Sequence, residues 1–287
     1  MGVKSGPAPD RLARALARKA TAKLRRVGGA RSPSPFPVPI LRARGLRKSY
    51  GSGRGARVIL DGVDLELARG ELVAIVGCSG SGKSTLLHLL GGLDRADAGS
   101  VEVAGRPVTG ASERDLSALR RDEIGFVFQF FHLVPELDGE ANVLLPTRLP
   151  GASREAAARG RALIERLGLS DVARLPPHQL SGGEQQRFAL ARALVADPAL
   201  VLADEPIGNL DAASGAVVLD LLRWIADDDR AVLMVTHQAE ATARADRVLR
   251  LTDGRLVPFD ESGPATVDHA EGAPTPHAEH RSRRATR

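Results

Sequence analysis

A glycine-rich segment between two apolar runs is the feature that most constrains the fold, and its nine residues are Gly77, Cys78, Ser79, Gly80, Ser81, Gly82, Lys83, Ser84 and Thr85. Residues 71–76 before it form a short β-branched run that is typical of a buried strand, and residues 86–90 after it are typical of a helix. A strand, a glycine-rich turn and a helix in this order are the context that a phosphate-binding loop requires. The segment therefore predicts an α/β fold with a nucleotide-phosphate site.

The chemistry of the loop residues agrees with that interpretation. Three glycines allow the backbone to curl so that successive N–H groups point at phosphate oxygens, and the helix N-terminus adds partial positive charge. Lys83 can reach the β- and γ-phosphates, and the Ser84 hydroxyl is placed to ligate Mg²⁺. The alternative is a glycine-rich turn that binds nothing, and eight matched positions in this context argue against it. We expect all nine loop residues to contact nucleotide.

A second apolar run ends in two carboxylates. Residues 199–203 are typical of a buried strand, and Asp204 and Glu205 follow them. Two carboxylates at the end of such a strand are costly unless they meet a cation or a reactant, and the phosphate loop would supply both. Asp204 is therefore the candidate Mg²⁺ ligand, and Glu205 is the candidate base for an attacking water.

A third segment predicts another anion site. Ser181 is a good helix N-cap, Gly182 and Gly183 expose backbone N–H groups, and residues 188–194 are rich in alanine and leucine, which favour a helix. One chain does not obviously need two anion sites.

The segment at residues 180–185 resembles the signature motif of ATP-binding-cassette (ABC) ATPases, and the resemblance covers residues 40–258. It implies a P-loop NTPase with a RecA-like mixed or parallel sheet core and an antiparallel β subdomain. It also implies an α-helical signature subdomain at about residues 130–195, in which residues 154–167 are expected to form a helix.

The resemblance also assigns roles by position. Tyr50, after the first strand, is similar to the aromatic residue that stacks on adenine, and Ser181 and Gly183 would reach the γ-phosphate of an ATP held by a second copy. The implied catalytic residues are Glu205, His237 and Gln129. The implied metal ligands are Ser84, Gln129 and Asp204. ATP and Mg²⁺ are the implied cofactors, and the implied assembly is a homodimer that sandwiches ATP, or a heterodimer with a similar subunit.

Residues 91–94, 130–135 and 205–211 look most like the macrolide-exporter, lipoprotein-release and cell-division subgroup. This implies an ATPase subunit that powers a separate transmembrane permease, peripheral on the cytoplasmic face of the membrane. One departure is Ile207, where the family usually has threonine. Candidate permease contacts, for which core packing is the alternative, are Phe130, Phe131, Leu133 and Leu144.

Two other functions are alternatives to a transporter ATPase. A non-transport regulatory ATPase of the cell-division type stays open. A simple P-loop kinase would leave the signature segment and His237 unexplained.

The charge distribution excludes a nucleic-acid-binding domain. Nine of the 40 Lys and Arg residues lie in residues 1–40, whereas residues 41–259 are slightly acidic. We expect a basic, proline-rich disordered arm at residues 1–39, the ABC domain at 40–258 and a disordered tail at 259–287. A basic helix on an anionic membrane surface is the alternative for the arm.

A single cysteine, Cys78, excludes an internal disulfide and favours a cytoplasmic location.

Overall fold

The computed structural model describes residues 39–51 and 53–259. The predicted arm lies outside the described residues except for residue 39. The predicted tail lies outside them except for residue 259.

A six-stranded sheet forms the centre of the fold, with strand order β10-β9-β3-β8-β7-β6. All neighbours are parallel except β10, which pairs antiparallel with β9. Its strands are β3 (Leu72–Val76), β6 (Ile124–Val127), β7 (Leu200–Asp204), β8 (Ala231–Thr236), β9 (Arg247–Thr252) and β10 (Arg255–Pro258).

A four-stranded antiparallel sheet has the order β2-β1-β4-β5. Apolar and charged residues alternate along much of β1, so this sheet buries one face and exposes the other. Its strands are β1 (Leu41–Tyr50), β2 (Arg57–Leu67), β4 (Ala98–Val103) and β5 (Arg106–Pro107).

The α-helices of the described residues are α1 (Lys83–Leu90), α2 (Glu113–Asp122), α3 (Gly139–Leu144), α4 (Ala156–Arg166), α5 (Gly182–Leu194), α6 (Ala212–Asp227) and α7 (Ala239–Thr242). Short 3₁₀ helices occur at Gly53–Gly55, Leu145–Arg148, Ser170–Val172 and Pro177–Gln179. In the part of the chain that the structure describes, no helix has the length and apolar character needed to traverse a bilayer.

Two hydrophobic cores lie on opposite faces of the central sheet. Leu72 and Ala74 of β3 belong to the core that α4, α5 and α6 cover, whereas Val73 and Ile75 belong to the core beneath the antiparallel sheet and α1. Successive residues of a strand point to opposite faces, so a strand with both faces covered must be apolar throughout. The runs seen in the sequence are therefore buried parallel strands.

Element boundaries differ slightly from the sequence predictions. The helix expected at 154–167 is α4, Ala156–Arg166, and the strand expected to end at residue 203 includes Asp204. Tyr50 is the last residue of β1 and does not follow it. The backbone pairing of Tyr50 with Arg57 extends the strand by that residue.

Candidate nucleotide-binding site

Four adjacent parallel strands deliver the candidate site residues to one edge of the central sheet. The sheet order places β3, β8, β7 and β6 side by side, and parallel strands end at the same edge. The residues that lie at or directly after those strand ends are the loop 77–85, His237, the pair Asp204 and Glu205, and Gln129.

The loop after β3 needs glycine at two positions for different reasons. A Cβ at Gly77 would lie 2.7 Å from both the Leu251 carbonyl oxygen and the Ser81 Oγ, so no larger residue fits. Gly82, the N-cap residue of α1, has a φ of +103°, and its Cβ would lie 2.6 Å from Ile59. The loop is therefore held close against its neighbours.

The loop holds polar groups that could bind an anion. The Nζ of the buried Lys83 donates to the carbonyl oxygens of Gly77 and Cys78 at 2.8 and 3.0 Å. Ser81 Oγ is buried and has no hydrogen-bond partner. These contacts keep the ammonium group at the loop, where a phosphate oxygen could accept a hydrogen bond from it.

Ser84 and Asp204 form the contact between the loop and β7. Ser84 Oγ donates to Asp204 Oδ1 at 3.1 Å. Burial raises the pKa of Asp204, although the Ser84 hydroxyl and the nearby His88 and Lys83 oppose that rise. A cation at this position would favour the ionised carboxylate that burial now penalises.

Glu205 and His237 form a second pair, at the ends of β7 and β8. His237 Nδ1 lies 2.8 Å from Glu205 Oε1, while Glu205 Oε2 is buried and has no hydrogen-bond partner. The Glu205 backbone has a φ of +46°, which is strained for a residue with a side chain. Its N–H donates to the Val235 carbonyl at 2.9 Å, so β8 holds it in this conformation.

Gln129 contacts the segment that follows Glu205. Its Nε2 lies 3.5 Å from Asn209 Oδ1, and Asn209 Nδ2 donates to the Gln129 carbonyl at 3.1 Å. Gln186 of α5, which no sequence pattern singled out, is fully buried and donates to the carbonyls of Phe128 and Pro206 at 3.4 and 2.6 Å. No sequence signal beyond its place in the signature helix indicates this role.

The second predicted anion site lies at the start of α5. Ser181 and Glu184 form a capping box, in which Ser181 Oγ accepts from the Glu184 N–H at 3.3 Å. Gly183 packs closely on Ser214 of α6. Among the hydrogen bonds and ion pairs of residues 39–51 and 53–259, none joins Ser181 or Gly183 to the loop 77–85.

Tyr50 lies beside α1, and about half of it, 47%, is exposed. Its hydroxyl donates to Asp94 Oδ2 at 2.8 Å, and Lys48 Nζ lies 5.0 Å from the ring centroid. Burial raises the pKa of this hydroxyl, and the bond to Asp94 adds to the rise. The ring therefore has fixed partners and is still partly exposed to solvent.

Ile207, the departure from the expected threonine, is buried in the core that α6 covers and lies 3.6 Å from the position of a Cβ on Gly215. An apolar side chain fits this position because its surroundings are apolar.

Comparison with known proteins identifies the family. The family model described as ABC transporter matches residues 60–208. The chain is 49% identical over 221 residues to the lipoprotein-releasing system ATP-binding protein LolD of Gluconobacter oxydans, which covers 76% of this chain and 96% of that protein. It is 45% identical over 236 residues to the macrolide export ATP-binding/permease protein MacB 1/2 of Paracoccus denitrificans, covering 82% of this chain.

The chain spans about a third, 35%, of the length of that macrolide export relative. Among solved structures, a dimeric post-hydrolysis state of the ATP-binding cassette MJ0796, bound to ADP and Pi, is similar with a TM-score of 0.68 and 36% identity. That match covers 75% of this chain and 96% of the other.

These matches confirm the fold class predicted from the sequence, a P-loop NTPase with a largely parallel central sheet and an antiparallel β subdomain. They also confirm the expected enzymatic activity and the expected subgroup. The chain belongs to the ABC transporter family and is an ATP-hydrolysing, ATP-binding cassette of the macrolide-export and lipoprotein-release subgroup.

Proposed function

We propose that the residues at the carboxyl edge of the central sheet bind Mg²⁺ with ATP and hydrolyse it, and that this reaction powers a membrane permease. The observation that carries the proposal is the convergence of Lys83, the Ser84–Asp204 pair and the Glu205–His237 pair on adjacent parallel strands. Phosphate oxygens would replace the Gly77 and Cys78 carbonyls as partners of the Lys83 ammonium group.

The residues present fit Mg²⁺. Ser84, Asp204 and Gln129 offer a hydroxyl, a carboxylate and an amide oxygen, the hard oxygen ligands that this ion prefers. The described residues hold no cluster of three or more His, Cys, Asp or Glu side chains able to hold a metal. An ion that takes one carboxylate and completes its shell with phosphates and water suits such a site. When bound, Mg²⁺ would neutralise the charge that develops on the phosphates.

Glu205 is the proposed base. Its Oε1 is engaged with His237, which leaves Oε2 as the acceptor for a proton from the attacking water. His237 is half exposed and would orient the Glu205 carboxylate while its ring faces the γ-phosphate. The strained backbone at Glu205 supports this assignment, because such strain persists where the surrounding structure fixes a functional conformation.

We further propose a homodimer in which Ser181 and Gly183 of one copy bind the ATP held by residues 77–85 of the other. The absence of a bond between these segments among the described residues agrees with this arrangement. The similar cassette MJ0796 is dimeric with ADP and Pi bound. Tyr50 would stack on the adenine.

The proposed partner is a separate transmembrane permease, which would hold the cassette at the inner face of the membrane. The permease would work by export or mechanotransmission, with a macrolide, lipoprotein or peptide as cargo, and no nucleic acid is expected to bind. The exposure of Phe130, 67%, supports a docking role next to Gln129. In domain terms, residues 40–258 would form the ATPase and residues 130–195 its helical subdomain.

The test is Glu205→Gln, with Glu240→Gln as the matched control, because Glu240 is an exposed acid of α7 outside the site. We expect Glu205→Gln to retain ATP and to lose turnover by at least about 100-fold, whereas the control keeps its rate. On gel filtration, ATP should convert Glu205→Gln to a dimer. Equal ATPase rates in the wild type and Glu205→Gln would refute the role of Glu205. A persistently monomeric phosphotransferase would instead favour a kinase.

A further inference from the structure

A partly buried charge pair next to Tyr50, Lys48 with Asp94, has no part in the proposed reaction. Lys48 is only 8% exposed, although lysine is rarely buried without a partner. Its Nζ donates to Asp94 Oδ1 at 2.9 Å and to the Arg95 carbonyl at 2.7 Å. The other carboxylate oxygen, Asp94 Oδ2, accepts from the Tyr50 hydroxyl at 2.8 Å. One carboxylate therefore joins the ammonium group and the phenol.

The cluster keeps Asp94 ionised. Burial alone would raise the pKa of the carboxyl, but the hydrogen bonds from Lys48, Tyr50 and the Arg95 N–H outweigh it and lower the pKa. A carboxylate that accepts from an ammonium group forms a charge-assisted hydrogen bond, which is shorter and stronger than a neutral one. The three side chains thus form a stable unit.

This unit fixes the aromatic ring at two points. Asp94 anchors the hydroxyl at the tip of the ring, and Lys48 places its charge 5.0 Å from the centroid, over the ring face. Tyr50 is nevertheless 47% exposed, so part of the ring stays open to a ligand. Asp94 is also tied to the phosphate loop through α1, because its N–H bonds to the His88 carbonyl at 3.3 Å.

We propose that Asp94 and Lys48 are positioning residues for adenine recognition, which hold the Tyr50 ring in the orientation that receives the base. The inference rests on the proposed stacking of adenine on Tyr50. A ring that is already immobilised loses less conformational freedom when ATP binds, so the two residues would strengthen ATP binding without touching the nucleotide. They would have no such effect on a ligand without a base.

The experiment compares two ligands on the full-length protein by isothermal titration calorimetry, ATP and inorganic tripolyphosphate, both with Mg²⁺. Immobilising one side chain is worth a factor of roughly 2 to 12 in affinity. We therefore expect Asp94→Ala and Lys48→Met to weaken ATP by roughly that factor and to leave tripolyphosphate unchanged. Tyr50→Phe, which keeps the ring and loses the anchor, should resemble Asp94→Ala and provides a milder variant if the others fold poorly.

The matched control is Asp97→Ala. Asp97 lies in the same loop and accepts from the N–H of Ser49 at 2.7 Å, so it also ties the loop to β1. A purely structural role of the loop would make Asp97→Ala behave like Asp94→Ala. Positioning through Tyr50 predicts that Asp97→Ala keeps the wild-type ratio of ATP to tripolyphosphate affinity.

A double-variant cycle separates the positioning role of Asp94 from the contact of Tyr50 with adenine. If Asp94 acts through Tyr50, Asp94→Ala should have no further effect on ATP affinity in the Tyr50→Ala background. Loss of the ATP preference in Tyr50→Ala but not in Asp94→Ala would overturn the positioning role alone. An unchanged preference in Tyr50→Ala would overturn the adenine assignment and this inference with it. Equal weakening of both ligands by Asp94→Ala would also overturn it.

Discussion

Replacing Gly183 with alanine tests how closely α5 packs on α6. An added Cβ would lie 2.7 Å from Ser214 Oγ and 2.9 Å from Ser214 Cβ. Rotation of the serine side chain could move the oxygen but not the Cβ, so the first turn of α6 must shift. That turn is capped by Asp211, whose side chain accepts from the Ser214 N–H at 3.0 Å.

Gly182 offers a matched control one residue away. A Cβ there would meet Leu210 at 3.4 Å, an ordinary van der Waals contact. Both substitutions place alanine in the first turn of the same helix, so the gain in helix propensity is common to both and cancels in the comparison. Overpacking a close contact costs about 1–3 kcal/mol. We therefore expect Gly183→Ala to be less stable than Gly182→Ala by about 1–3 kcal/mol.

The assay is thermal and urea unfolding of the ATP-free protein, in which no nucleotide contributes to stability. For a folded part of this size, each kcal/mol corresponds to a shift in Tm of about 2–4 °C. The double variant Gly183→Ala with Ser214→Gly removes both close contacts and should recover part of the loss. Identical unfolding midpoints for Gly182→Ala and Gly183→Ala would refute the packing argument.

Two further predictions concern the site. Because the pKa of Asp204 is raised in the folded protein, its carboxyl contributes stability that is fully present below the ordinary pKa of 3.8. That contribution is lost as pH rises through the folded-state pKa. In the ATP-free protein we therefore expect Asp204→Asn to gain stability relative to wild type from acid toward neutral pH. Urea unfolding at several pH values measures this, and a pH-independent difference would contradict it. Gln186→Met leaves the carbonyls of Phe128 and Pro206 without their donor, at a cost of about 1–3 kcal/mol each, and we expect it to lower kcat more than it changes KM for ATP. Unchanged stability and unchanged kcat would count against it.

The sequence allowed accurate prediction where the relevant signal is local. The loop at residues 77–85 is recognisable because its strand, glycines and helix are consecutive, and the Ser181 cap is recognisable because Glu184 lies three residues away. The apolar runs predicted β3 and β7 to within a residue, because strands buried on both faces carry no polar positions.

Contacts between distant segments could not be predicted in the same way. The 2.8 Å contact of His237 with Glu205 depends on β8 lying next to β7, and strand order is not readable from either run. Lys48 and Asp94 are 46 residues apart and belong to no periodic pattern. A charged residue in an alternating strand is expected on the exposed face, so the burial of Lys48 appears only once its partner is known.

Helix α5 connects the proposed ATP-binding residue Ser181 with the segment 128–132, which contains the proposed permease contact Phe130. Ser181 is its N-cap residue, and Gln186 donates to the Phe128 carbonyl at the start of residues 128–132. Arg192 donates to the carbonyls of His132 and Phe131, at the other end of that segment, at 2.6 and 3.0 Å. The segment 128–132 contains the exposed Phe130, so both of its ends are bound to one rigid helix. A force on Phe130 would therefore reach α5 and Ser181, the N-cap residue that we propose binds the ATP of a second copy. Docking of a permease at Phe130 and closure of a second copy on Ser181 would then be mechanically coupled through α5.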